Sequence, residues 1–153
     1  MAFAMPRRIH AAKRCPVGRT AALAVLLAAS VAGAGRVIIS EYLEGSGNNK
    51  ALEIYNGEPR LLDLAAGGYV VQIYYNGSTT PGDTIALSGS VAAGTAWVIC
   101  HSSAAETIQA RANLRTSSLK FNGNDAVVLR RGGTNGPVVD AVGRVGEDPG
   151  IYW

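Results

Sequence analysis

The stretch Asn122 to Val142, NGNDAVVLRRGGTNGPVVDAV, decides the class of fold. It holds two short runs of aliphatic and β-branched residues, Ala126 to Arg130 and Val138 to Val142. Asn122-Gly123, Gly132-Gly133 and Asn135-Gly136 punctuate them. Short apolar runs bounded by such pairs read as strands joined by tight turns, because glycine and asparagine tolerate the positive φ that these turns require.

The same alternation extends toward the N-terminus. Val37 to Tyr42, Leu52 to Tyr55, Val70 to Tyr75, Thr84 to Leu87 and Ala96 to Cys100 read as strands, and Leu119 to Phe121 as a further short one. Asn56-Gly57, Gly67-Gly68, Asn76-Gly77 and Pro81-Gly82 supply turns between them. One segment breaks the pattern. Ser103-Ala104-Ala105-Glu106 has the form of a capping box, and Ile108, Ala112 and Leu114 could form an apolar stripe. A short helix is therefore expected over roughly 104 to 112. Many short strands, close turns and no alternation of strand with long helix predict an all-β sandwich of antiparallel layers, with one short helix.

The first 34 residues belong to a different kind of segment. Arg7, Arg8, Lys13, Arg14 and Arg19 make a basic start. Thr20 to Ala34 is almost wholly apolar, and Ala32-Gly33-Ala34 has the small-x-small form of a cleavage site. The apolar run, about 15 residues, is shorter than the ~20 needed to span a bilayer. Residues 1–34 are expected to be a signal peptide. The chain from 35 to 153 is then a single domain, secreted or periplasmic, with no integral span. The net charge of +3 belongs to the full chain. After residue 34, nine basic residues face eleven acidic ones, which gives −2 and removes any global cationic signature for nucleic acid.

Catalytic chemistry finds little material. Phosphodiester hydrolysis needs clustered carboxylates around a metal and usually a histidine base. Beyond residue 34 only His101 remains, so no catalytic residue is expected. Cys100, in Trp97-Val98-Ile99-Cys100, reads as a small buried hydrophobe rather than a nucleophile. Glu41, Glu44 and Glu53 lie near the loop from Glu44 to Lys50. Calcium is the cofactor such loop oxygens could hold, but the repeated acidic spacing of a calcium loop is missing, so no metal or cofactor ligand is assigned. Gly45 to Lys50 lacks the spacing of a phosphate-binding loop and reads as mobile. Any ligand contact there would come from Glu44, Asn48, Asn49 and Lys50. Asp125 is expected to cap the Asn122-Gly123 turn through backbone N–H groups. Tyr74 and Tyr75, being adjacent, should point to opposite faces. Arg130-Arg131 reads as a charged strand end.

Ile38 to Asn56, IISEYLEGSGNNKALEIYN, resembles the opening of the lamin-tail domain family, in the branch found near the N-terminus of secreted bacterial nucleases. Leu87-Ser88-Gly89, Ala93-Gly94-Thr95 and Trp97-Val98-Ile99 are similar to the middle of its pattern. Asn122 to Leu129 and Val139 to Gly150 are similar to its end. The resemblance implies an immunoglobulin-like β-sandwich and a non-catalytic binding or positioning role. Its implied partners are a nuclease catalytic domain, DNA or a cell-surface polymer. The family pattern continues past Asp148-Pro149-Gly150 into one more strand. This chain stops at Trp153, so the resemblance implies a domain lacking its final strand, with an open edge that invites self-association. An N-terminal fragment of a metal-dependent endonuclease is the alternative reading, and a free-standing adhesion or carbohydrate-binding module is another.

Overall fold

A computed structural model describes residues 36–153. The expected signal peptide lies outside the described residues. Strand β1 runs Val37–Glu44, β2 Lys50–Asn56, β3 Leu62–Asp63, β4 Val70–Tyr74, β5 Asp83–Ala86, β6 Ser90–Val91 and β7 Ala96–His101. Helix α1 is Glu106–Gln109, followed by β8 Leu114–Thr116, β9 Ala126–Arg130 and β10 Val138–Val142. One sheet has the order β1-β2-β7-β8, a second β10-β9-β4-β5, and β3 and β6 form a small ribbon. This is the expected all-β, immunoglobulin-like sandwich.

Period-two alternation explains the two layers. Leu52 and Ile54 on β2, with Trp97 and Ile99 on β7, turn inward from the first sheet. Val71 and Ile73 on β4, with Val127 and Leu129 on β9, meet them from the second. Strand β1 departs from simple alternation. Ile39 and Tyr42 both pack on the core although they are three residues apart. A bulge between Ile39 and Glu41 inserts Ser40 as an extra residue and resets the phase. Glu41 and Leu43 therefore face outward.

Three expectations are corrected. Leu119 to Phe121 forms no strand, yet Leu119 and Phe121 are fully buried. Their apolar alternation serves to plug the space between the sheets, and Phe121 stacks on Tyr42 at 4.5 Å between ring centroids. The helix is shorter than expected and starts later, at Glu106 after Ala105, with no side-chain cap. Ser103 does not cap it. That residue lies in the turn that leaves β7, where its N–H donates to His101 Nδ1 at 3.0 Å. The stripe does not continue through Leu114, because Asn113 diverts the chain. Its Oδ1 accepts the Val98 N–H at 2.8 Å and its N–H donates to the Val98 carbonyl at 2.8 Å. Leu114 to Thr116 then pairs parallel to β7, the one parallel pairing among the described strands. Helix α1 sits in the crossover that a parallel pair requires.

The second sheet is also covered on its outer side. Gln72 and Tyr74 alternate away from the core yet are buried. Tyr74 donates its hydroxyl hydrogen to Gln72 Oε1 at 2.8 Å, and Arg130 Nε donates to the same oxygen at 2.6 Å. Gln72 Nε2 and Arg130 Nη1 reach the carbonyls of Thr134 and Gly136, which fastens the β9–β10 loop over this face. Arg130 is thus more than a solubilising strand end. It organises a half-buried polar network.

Candidate functional site

The outer face of the first sheet is only partly covered. Ala51 of β2 and Cys100 of β7 are opposite one another in register, and Ala104, Ile108 and Ala112 pack over them. Since α1 ends at Gln109, the neighbouring outward positions remain uncovered. They form a groove of about 600 Å³, within the size range of ligand clefts, roughly 300–1,000 Å³.

Strand register assembles this groove. Leu43 lies opposite Ala51, and Glu41 opposite Glu53. Val98 continues the row from Glu53 onto β7. Leu43, Ala51 and Val98 make an apolar floor, Ile108 and Ala110 an apolar wall, and Arg111 stands on the helix side. Glu41 and Glu53 form an acidic lip. The Ser40 hydroxyl donates to Glu53 Oε1 at 2.8 Å. Neither carboxylate forms an ion pair among the described residues, and neither does Arg111. Glu44, Glu58, Asp83 and Glu147 are paired with basic side chains.

The loop singled out from sequence is closely knit. Gly45 N–H donates to the Asn49 carbonyl at 2.7 Å, and Lys50 N–H to that of Asn48 at 2.8 Å. Lys50 is buried, with Nζ 3.3 Å from Glu44 Oε1 and 2.9 Å from the Gly45 carbonyl. Asn49 Oδ1 accepts the Ala105 N–H at 2.8 Å and so ties this loop to the start of α1. Glu44, Asn49 and Lys50 are therefore engaged within the fold, whereas Asn48 is exposed. The loop lies beside the groove rather than within it.

Other candidates are dispersed. Cys100 faces the cluster under α1, where burial pushes its thiol up from the usual value and Arg115 offsets this only in part. Successive side chains on a strand point to opposite faces, so His101 is carried away from the thiol. Its Nδ1 is occupied by the Ser103 N–H. Asp125 is fully buried and caps its turn as expected, accepting the Asn122 N–H at 2.8 Å. It also accepts the Asn76 N–H at 2.9 Å, which joins two loops. Asn124 bridges Asn76 Oδ1 and Asp148 Oδ1. Among the described residues, no group of three or more His, Cys, Asp or Glu side chains is placed to hold a metal ion, and no helix is long and apolar enough to cross a membrane.

Sequence reasoning missed the groove. Glu41 and Glu53 were visible only as loop-flanking acids, and Val98, Ile108 and Arg111 carried no signal without the register. A family model, Lamin Tail Domain, matches residues 30–146. No curated protein matches the chain.

Proposed function

The chain belongs to the lamin tail domain family, and on that premise we propose that it serves as a non-catalytic binding and positioning module of a secreted nuclease system. The family is an immunoglobulin-like, non-catalytic domain. The observation that carries the reading is the groove itself. It is concave, has an apolar floor, and bears unpaired charges of both signs at its edges. That is equipment for holding a partner. The nuclease context comes from the resemblance of Ile38 to Asn56 and Val139 to Gly150 to the nuclease-associated branch.

The charge distribution favours a protein partner over direct grip on DNA. Lys50, Arg60, Lys120 and Arg144 are each paired with a carboxylate. Arg130 is spent on the Gln72 network, and Arg131 lies over the Tyr69 ring at 6.0 Å. A phosphate backbone would find acidic Glu41 and Glu53 at the groove lip. The test uses the full-length chain with duplex DNA and magnesium, manganese or calcium. No cleavage is expected, and DNA binding should be weak with a shallow dependence on salt. Metal-dependent turnover, or tight binding that falls steeply with salt, would refute the reading.

A further inference from the structure

We propose that the groove on the outer face of β1, β2 and β7 is a docking site for a polypeptide segment in which a lysine or arginine is flanked by aliphatic side chains. This rests on the positioning-module reading and names the partner class of its site.

Three features of the groove converge on that chemistry. The first is the cross-strand pair Glu41–Glu53. Like charges directly opposite on one sheet face repel and destabilise the pairing. Elsewhere this surface places acids beside bases, as in Lys50–Glu44 and Lys120–Asp83. At the groove lip the Glu41 carboxylate accepts no hydrogen bond among the described residues, and the Glu53 carboxylate only that of the Ser40 hydroxyl. A cation brought between them relieves the repulsion of both. The second feature is the floor. Leu43 is 37% exposed although it is aliphatic; Ala51 lies opposite it in register, and Val98, in the neighbouring row beyond Glu53, lines the same floor. An aliphatic side chain covers that floor, and so does the methylene stem of a lysine whose charged head stays at the lip. The third feature is Arg111, unpaired on the helix side. A guanidinium offers donors to a carbonyl or carboxylate.

One occupant supplies all three complements. A peptide carries backbone carbonyls for Arg111, an aliphatic side chain for the floor and a basic side chain for the glutamates. A free polyamine supplies the cation but no acceptor. A nucleic acid supplies acceptors but no cation.

The test is fluorescence anisotropy with a labelled synthetic peptide of alternating leucine and lysine, titrated with the full-length chain. Control peptides replace lysine with glutamate or leucine with serine, and spermidine is the competitor. The leucine–lysine peptide should bind, and both control peptides should bind more weakly. Glu41→Gln and Glu53→Gln should each weaken binding roughly two- to fivefold, the range of a solvent-exposed ion pair. Leu43→Ser should weaken it too, and the distant Arg131→Ala should leave it unchanged. All four positions are surface or partly exposed, and circular dichroism verifies the fold of each variant. Absence of binding, equal binding of the glutamate peptide, indifference to both glutamine variants, or equal affinity for spermidine would overturn the proposal. The DNA cleavage assay reads a separate property, so a failed peptide titration leaves the non-catalytic reading standing, and DNA turnover would remove that reading without altering a measured peptide affinity.

Discussion

Phe121 offers the sharpest test of how the two sheets are held together. Its segment has no ladder to either sheet, so its position depends on its side chains. Phe121 is fully buried in the main core cluster and stacks on Tyr42 at 4.5 Å with an interplanar angle of 28°. Truncating a buried phenylalanine to alanine costs about 3–5 kcal/mol through lost transfer energy and the cavity left behind. The aromatic pair adds about 0.5–1.5 kcal/mol. A cavity here cannot be closed by sliding a paired strand, because none is present, but the unpaired backbone can sag inward and recover part of the loss. Phe121→Ala should therefore cost about 4 kcal/mol, a large share of the 5–15 kcal/mol that holds a typical domain together. With a urea slope of about 1.5 kcal/mol per molar, the unfolding midpoint should fall by roughly 2.5 M. The assay is urea unfolding of the full-length chain followed by tryptophan fluorescence, since Trp97 lies in the same core cluster. Phe121→Leu, which retains most of the volume, should cost no more than about 1.5 kcal/mol. A loss below 1 kcal/mol for Phe121→Ala, at unchanged slope, would refute the role of this segment as a plug.

Two further predictions concern the tyrosines and the Gly123 corner. Burial, and then the hydrogen bond to Asp83, holds the Tyr75 phenol above its ordinary value, and burial first, then Glu44 and Asp125, does the same for Tyr42. A raised acid stabilises the fold only while protonated, so this contribution is present below about pH 10 and lost as pH rises beyond it; urea midpoints should fall above pH 10, and Tyr75→Phe should soften that fall. At Gly123 a Cβ would lie 2.8 Å from Tyr152 Cβ, 2.9 Å from Glu44 Oε2 and 2.9 Å from the Ile151 carbonyl. Gly123→Ala should therefore displace residues 151–153 and break the Trp153 Nε1 bond to the Asp125 carbonyl, read as a red-shifted Trp153 emission in a Trp97→Phe background; unaltered emission would contradict it.

The sequence was most legible where local chemistry and tertiary pairing agree. Strands β9 and β10 fall on the expected residues because aliphatic runs meet turn pairs at both ends. Tyr74 and Tyr75 do point to opposite sides, but Tyr74 is buried as well, since the β9–β10 loop covers the outer face through Gln72 and Arg130. Leu119 to Phe121 shows the limit of the period-two signal. Any extended backbone presents alternate side chains to opposite sides, whether or not a neighbour bonds to it. The Ser103-to-Glu106 pattern failed for a different reason. A capping box describes the helix start only when the chain is free to begin winding there, and Ser102 and Ala104 are held in the turn by backbone bonds to Thr116 and His101. From sequence alone Asn49 is a polar residue of a glycine-rich loop, available for ligand contact. Its bond to Ala105, 56 residues along the chain, has no local signature.

The groove exists because two of these local patterns are broken. Alternation through β1 would place Ile39, Glu41 and Leu43 on one face, so a core-facing Ile39 would carry Glu41 inward with it. The extra residue at Ser40 separates them, leaves Ile39 and Tyr42 on the core and turns Glu41 and Leu43 outward. The same residue then donates its hydroxyl hydrogen to Glu53, which fixes the second half of the acidic lip. The helix contributes through its brevity. Four residues of helix rise about 6 Å, enough to shelter Ala51 and Cys100 while Leu43 stays open. A regular strand would have demanded an apolar residue at position 41, and a longer helix would have roofed the floor. Bulges that re-aim side chains are common beside binding sites. Here the bulge and the clipped helix meet at one surface, which ties the acidic, apolar groove to the folding pattern itself.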